Sequence, residues 1–280
     1  MSTESPLRRL ILCADDFGLA PGVDDAILDL IGRGRLAATS VMVLPPTFSP
    51  AEAKRLAAVA ERRVQVGLHL TLTAPFQPCT AGYAPLARDG RFLPVGKLLA
   101  ASFVTPFDRD AVAREIEAQM AAFVAAFGRP PDYVDGHQHV HLLPGVREAV
   151  LEIVPRLAPG AWVRQCGQIT ATLKRLGDPK SLLLDRMSGA FRRLAAERGV
   201  ATNPAFAGTY TFKPEVDYAA LFPAFLKDLP DGSVVMCHPG TVDGELKRLD
   251  PLTALREAEY AYLGGDRFPA VLAQAGFTLA

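Results

Sequence analysis

Five histidines and two adjacent aspartates hold most of the chemistry open to this chain. Asp15 and Asp16 close the apolar run LILCADDFG, Leu10 to Gly18. Two like charges side by side have an ordinary explanation, a turn or the N-cap of the next helix, since Asp suits both. They also have a chemical one: one carboxylate holds a cation and the other moves a proton. The histidines, His69, His137, His139, His141 and His238, favour the second. In DGHQHVH, period-two alternation along a strand puts Asp135, His137, His139 and His141 on one side, with Gln138 and Val140 opposite. Imidazoles gathered on one side are costly to bury unless a metal or carboxylates satisfy them. In VGLHLTLT, His69 points inward, and Gly67 on the same side leaves space in front of it. In CHPG, His238 ends an apolar strand before a Pro-Gly break. These residues and the Asp pair supply nitrogen and oxygen donors, a base and an acid, the parts of a hydrolytic metal site.

The elements that position them alternate between strand-like and helix-like runs, as in a parallel sheet with crossover helices. Strands are predicted at Leu10–Ala14, Ser40–Leu44, Val64–Leu72, Tyr133–His141, Ala161–Arg164, Ser233–Cys237 and Phe277–Leu279. Helices are predicted at Pro21–Arg33, Ala51–Glu61, Arg109–Phe127, Val146–Leu157 and Pro251–Leu263. Every histidine then sits at or near the C-terminal end of a strand, as do both aspartates. In barrels and open parallel sheets that face carries the site. Two insertions interrupt the alternation. Residues 74–108 are rich in Pro and Gly, with Asp89-Gly90 reading as a hairpin turn. Residues 167–216 hold a basic helix near Pro179–Arg198, whose Arg186, Arg192, Arg193 and Arg198 read as a solvated face more readily than as an anion site.

The whole chain, residues 1–280, reads as one domain of soluble globular composition. Its 30 basic and 30 acidic residues balance, which argues against a nucleic-acid partner. No apolar run is long enough to span a bilayer, and the one near the start is too short for a signal peptide, so a cytoplasmic location is the default. The four cysteines show no CxxC pair. Cys13 and Cys237 lie in apolar strands and read as small buried side chains.

ADDFG, GLHLTLT, DGHQHVH and CHPG occur in the order and approximate spacing of the YdjC-like carbohydrate deacetylases, which include chitooligosaccharide and hopanoid-associated deacetylases. The chain resembles that family from about Arg9 to CHPG or beyond. Many members carry Ser where Gly136 stands, with a side chain expected to point away from the site. The resemblance implies an α/β fold: a distorted (β/α) barrel, TIM-like, with fewer than eight regular strands. It implies one divalent metal ion held by Asp16, His69 and His137, with Asp15 as general base and His238 placed to assist as an acid. Zinc or magnesium suits such a ligand set, and manganese, cobalt or nickel are open. Asp135, His139, His141 and Arg164 become groups behind the ligands or beside the substrate. Arg164 either orients a carboxylate or forms a surface ion pair. The implied reaction removes acetyl from an N-acetylated sugar, a chitooligosaccharide or a glycolipid head group. Such barrels often pair, which leaves a homodimer open.

Two other readings stand beside this one. A metal-dependent sugar isomerase or epimerase, or a different amidohydrolase, would want a lysine or a second acidic cluster at a strand end, and the motifs contain no such lysine. A non-catalytic sugar-binding relative would carry a degraded site, whereas all the motif residues are present.

Overall fold

The structure, a computed structural model, describes residues 6–61, 63–167, 179–211, 213 and 215–280, with backbone only for 179–181. Seven strands form a curled parallel sheet in the order β5-β4-β3-β2-β1-β7-β6, and an eighth, β8, pairs with the start of β1. The strands are β1 Arg8–Phe17, β2 Ala38–Val41, β3 Gln65–Leu70, β4 Tyr133–Gly136, β5 Trp162–Val163, β6 Phe206–Ala207, β7 Ser233–Cys237 and β8 Phe277–Leu279. The sheet bends back on itself: the Val163 backbone N–H donates to Ala201 O at 2.9 Å, and Val163 bridges Thr202 just before β6. That closes a distorted barrel of fewer than eight regular strands, as the sequence motifs implied.

Crossover helices lie between the strands: α1 Pro21–Gly32, α2 Pro50–Ala60, α3 Val95–Val104, α4 Arg109–Phe127, α5 Val146–Leu157 and α6 Pro179–Glu197. After them come α7 Tyr218–Phe225, α8 Gly244–Leu249, α9 Arg256–Gly264 and α10 Arg267–Gln274. Their ends follow local chemistry. Pro21 starts α1, and Ser49 caps α2 by accepting from Glu52 N at 3.3 Å. Asp108 caps α4, which ends at Gly128 with φ of 68°. The run read as one helix over Pro251–Leu263 starts only at Arg256, because Asp250 and the turn after it hold residues 250–255 in another conformation. Arg186, Arg192, Arg193 and Arg198 are exposed, as a solvated face requires, and residues 168–178 of that insertion lie outside the described part. No helix among the described residues is long and apolar enough to cross a membrane.

The apolar core fills the space between sheet and helices, with Leu10, Leu12, Leu68, Ile116, Phe123 and Val134 fully buried. The other side of the strands carries a polar layer. Alternation and register bring Cys13 and Asp15 of β1, Ser40 of β2, His69 of β3 and Asp135 of β4 to that side, with His69 paired opposite Asp135. Cys13 and Cys237 are both buried as small side chains. A Cβ on Gly67 would stand 2.4 Å from the Tyr133 ring. The space left by that glycine is thus filled by tyrosine and does not open in front of His69, contrary to the sequence reading.

Candidate metal centre and active site

Successive residues of a regular strand point to opposite faces, yet Asp15 and Asp16 both reach the site. The register of β1 against β2 slips between Ala14 and Phe17, a bulge, and Asp16 sits in the left-handed region at φ 74°. That conformation re-aims Asp16 toward the strand ends. Gly18 follows at φ 93°, where a Cβ would lie 2.6 Å from Met42 O, so only glycine makes the turn. Its N–H donates to the buried Asp24 carboxylate at 2.6 Å.

Asp16, His69 and His137 converge, each with a donor atom within 4.8 Å of the others, and all three are buried. Asp16 Oδ1 lies 3.0 Å from His137 Nδ1 and 3.3 Å from His69 Nε2. Metal–ligand bonds of about 2.1 Å give donor separations of about 3.0–3.4 Å in octahedral or tetrahedral shells, so the donor set fits a divalent ion of either preference. His69 Nδ1 is engaged by Asp135 Oδ1 at 2.6 Å, which fixes the ring and leaves Nε2 for the centre. Burial opposes an imidazolium here, but the charges of Asp135, Asp16 and Asp15 outweigh it and push His69 up to about 10. A pocket that raises an imidazole so far attracts positive charge.

Asp15 is placed differently. Arg164, fully buried, grips it with both terminal nitrogens, Nη1 to Oδ2 at 2.7 Å and Nη2 to Oδ1 at 2.8 Å. The same Nη2 reaches Asp135 Oδ2 at 2.5 Å. Burial opposes ionisation of Asp15, yet Arg164, with His69 and His238 adding, holds its carboxyl well below the usual carboxylate range. Arg164 is therefore an internal clamp on two site carboxylates and not a surface ion pair. Ser40 Oγ donates to Asp135 Oδ2 at 2.6 Å and lies 2.9 Å from Tyr133 OH, completing the layer beneath the site.

The four side chains of DGHQHVH do not share one face. β4 stops at Gly136, and His137–Leu142 forms a 3-10 turn in which Gln138 and His139 take φ of 53° and 60°. Only His137 reaches the triad. His139 turns its Nδ1 toward Cys166 Sγ at 3.5 Å, and His141 Nε2 contacts Arg164 O at 2.8 Å. A Cβ on Gly136 would meet the His141 ring, 2.9 Å from Nδ1, on the side of β4 opposite Asp135. His238, half-buried after β7, is tied by its backbone N–H to Glu259 Oε2 at 2.6 Å, and its imidazole acts electrostatically on Asp15.

Burial, partly offset by Asp135, lowers His141 to about 4 in the folded chain. An unfolded histidine titrates near 6.5, so between those values the unfolded state binds more protons and stability falls as pH drops. In chelator, the wild-type protein is expected to lose on the order of 1–3 kcal/mol more than His141→Gln between pH 7 and pH 4.5. Equal losses in thermal melts of the two proteins would remove His141 from this account.

A family model described as YdjC-like protein matches residues 9–274. The chain belongs to the YdjC-like family. A mouse carbohydrate deacetylase is 30% identical to this YdjC-like chain over 258 residues, 84% of the chain and 79% of the relative. A chitooligosaccharide deacetylase of Serratia marcescens is 29% identical over 282 residues, 97% of each. The match to a human carbohydrate deacetylase, 36% identical over 153 residues, takes in 52% of this chain and 45% of that relative. Among solved structures, a proposed cellobiose-phosphate cleavage protein from Enterococcus faecalis shares the fold at TM-score 0.74 and 21% identity, over 99% of this chain and 97% of that one. A peptidoglycan N-acetylglucosamine deacetylase does so at TM-score 0.50 and 13% identity, over 97% and 85%.

Beside the triad of this YdjC-like chain lies a cavity of about 440 Å³ lined by Leu44, Pro75, Phe76, Arg91, Arg248 and Leu249, among others. Phe76 joins the two, its ring edge-on to His137 with centroids 6.4 Å apart. The 74–108 insertion carrying Phe76 is anchored by α4. Buried Gln119 bonds both N and O of Thr71, and buried Glu115 accepts from Cys79 N, Thr80 N and Thr80 Oγ1. The Asp89-Gly90 turn forms as predicted, with Ala87 N donating to Arg91 O at 2.8 Å. Sequence reasoning missed Arg256, which bonds Asp16, and Glu259, which holds the backbone of His238. Both lie in an acidic, polar helix start, REAEY, with no local mark to set them apart.

Proposed function

We propose that the protein is a metal-dependent N-deacetylase of carbohydrates, hydrolysing the acetamide of an N-acetylated sugar to acetate and a free amine. The convergence of Asp16, His69 and His137 beside an ionised, off-centre Asp15 carries this reading. The names of the relatives from mouse and Serratia marcescens point the same way. A divalent ion bound by the triad supplies acidified water and a polarised amide carbonyl. The chain does the rest. Asp15 accepts the water's proton as oxygen adds to the acyl carbon, and Arg164 keeps Asp15 anionic and oriented for it. Asp135 holds the His69 ring in register. His238 donates a proton to the leaving nitrogen as the C–N bond breaks. Phe76 gives an apolar face to a pyranose ring, and Arg91 and Arg248 give donors to its hydroxyls.

Zinc suits the His₂Asp set best, with magnesium the alternative if waters fill the remaining positions. The test joins metal content to acetate release from N-acetylglucosamine oligomers. One divalent ion per chain is expected, with activity lost on chelation and restored by re-adding zinc. Metal-loaded protein that releases no acetate across mono- to tetrasaccharides would overturn the reading.

A further inference from the structure

Arg256 opens α9 and is fully buried. A cation at a helix N-terminus is opposed by the macrodipole, so something stronger holds it there. Its Nη2 lies 2.6 Å from Asp16 Oδ2 and 2.8 Å from Asp250 Oδ2, and its Nε donates to Leu252 O at 2.8 Å. Its Nη1 is buried with no hydrogen-bond partner among the described residues. A buried ion pair with an unmade donor is a poor way to gain stability, and an apolar side chain would serve as well or better. The arrangement divides Asp16. One oxygen, Oδ2, belongs to Arg256, while Oδ1 alone faces His69 and His137.

We propose that Arg256 is a positioning residue that keeps Asp16 a one-oxygen donor to the ion. A carboxylate that binds through both oxygens fills two positions, and with two imidazoles it completes a four-coordinate shell. Such closed shells are structural, whereas catalytic sites keep a position open. By occupying Oδ2, the guanidinium reserves that position for water and the acyl oxygen. It also adds positive charge near the ion, so its removal does not weaken metal binding. Gly240, next to the His238 strand end, donates its N–H to Arg256 O at 3.2 Å, which couples this clamp to the loop bearing the proposed acid.

The inference rests on the metal reading of the triad, and the experiment separates the two. Wild-type, Arg256→Met and Arg256→Lys proteins are compared by zinc affinity in chelator competition, by the visible spectrum of the cobalt(II)-loaded protein, and by kcat and KM for acetate release from diacetylchitobiose. Arg256→Met is expected to bind zinc at least as tightly as wild type, to change the cobalt spectrum, and to lose about 10–100-fold in kcat. KM should stay within about threefold. Arg256→Lys, which restores a cationic donor, should recover the wild-type spectrum and most of kcat. If Arg256→Met does not fold, Arg256→Met combined with Asp250→Asn, which removes the stranded carboxylate, takes its place. A wild-type cobalt spectrum and kcat in the Met variant, or zinc binding more than about tenfold weaker, would overturn the proposal. Wild-type protein that takes up neither zinc nor magnesium would overturn the metal reading itself.

Discussion

On the proposed metal reading, Asp15→Asn protein is expected to bind as much divalent metal as wild type and to release acetate about 10²–10⁴-fold more slowly. The amide keeps the size and shape of the carboxylate and leaves Asp16, His69 and His137 untouched, so the metal readout isolates the proton transfer. The wild-type carboxylate is already held well below the usual range by Arg164, which outweighs the opposing effect of burial. A base so weak can deprotonate water only if the water has been made acidic, which is why the neighbouring cation and this aspartate are needed together. It also means that Asp15 stays ionised throughout the mildly acid range. The acid limb of the rate profile should therefore not belong to Asp15. A near-normal rate in Asp15→Asn with metal in place would assign the base elsewhere.

Arg164→Met should be among the most destabilising single changes in the molecule, at about 3–5 kcal/mol, because it strands two buried carboxylates. Arg164 lies 2.7 Å from Asp15 and 2.5 Å from Asp135, with no measurable exposure of its own side chain. Without it, burial raises the Asp15 carboxyl in the folded state, so that state takes up a proton more readily than the unfolded chain. Stability then improves on acidification, and the deficit against wild type should narrow from pH 8 toward pH 4.5. Denaturant melts at the two pH values read both the size of the loss and its slope. A loss below about 1 kcal/mol, or one independent of pH, would mean that Asp15 and Asp135 find other partners.

The strand ends and the histidines were legible in the sequence because period and punctuation are local signals. LILCADDFG, VGLHLTL and SVVMC each read as a strand from their own residues, while the grouping of Asp16, His69 and His137 came from the family resemblance of the motifs at those ends. Two kinds of information were not local. One is backbone handedness: alternating histidines in DGHQHVH look like a strand, and nothing in Gln138 or His139 announces left-handed φ values. The turn that sends His139 and His141 away from His137 is imposed by packing against Cys166 and Arg164. The other is long-range pairing. Arg164 meets Asp15 across 149 residues, and Arg256 meets Asp16 across 240. A buried arginine among 30 basic residues carries no mark of its burial, so Arg256 appears only when the sheet has closed, and only then is Arg164 seen to orient a carboxylate and not to form a surface ion pair.

The two clamps set an electrical balance for the interior of the barrel. Arg164 pairs with Asp15 and Asp135, Arg256 pairs with Asp16 and Asp250, and His69 bridges Asp16 and Asp135, so four carboxyl groups meet two guanidinium groups and one imidazole. On the proposed metal reading, a divalent ion bound with His69 neutral would match the two carboxylate charges that the arginines leave over. A monovalent cation leaves this low-dielectric cluster in deficit, and a trivalent one overshoots it. On that reading the buried arginines would favour one ionic valence, and the imidazoles would choose among ions of the same charge.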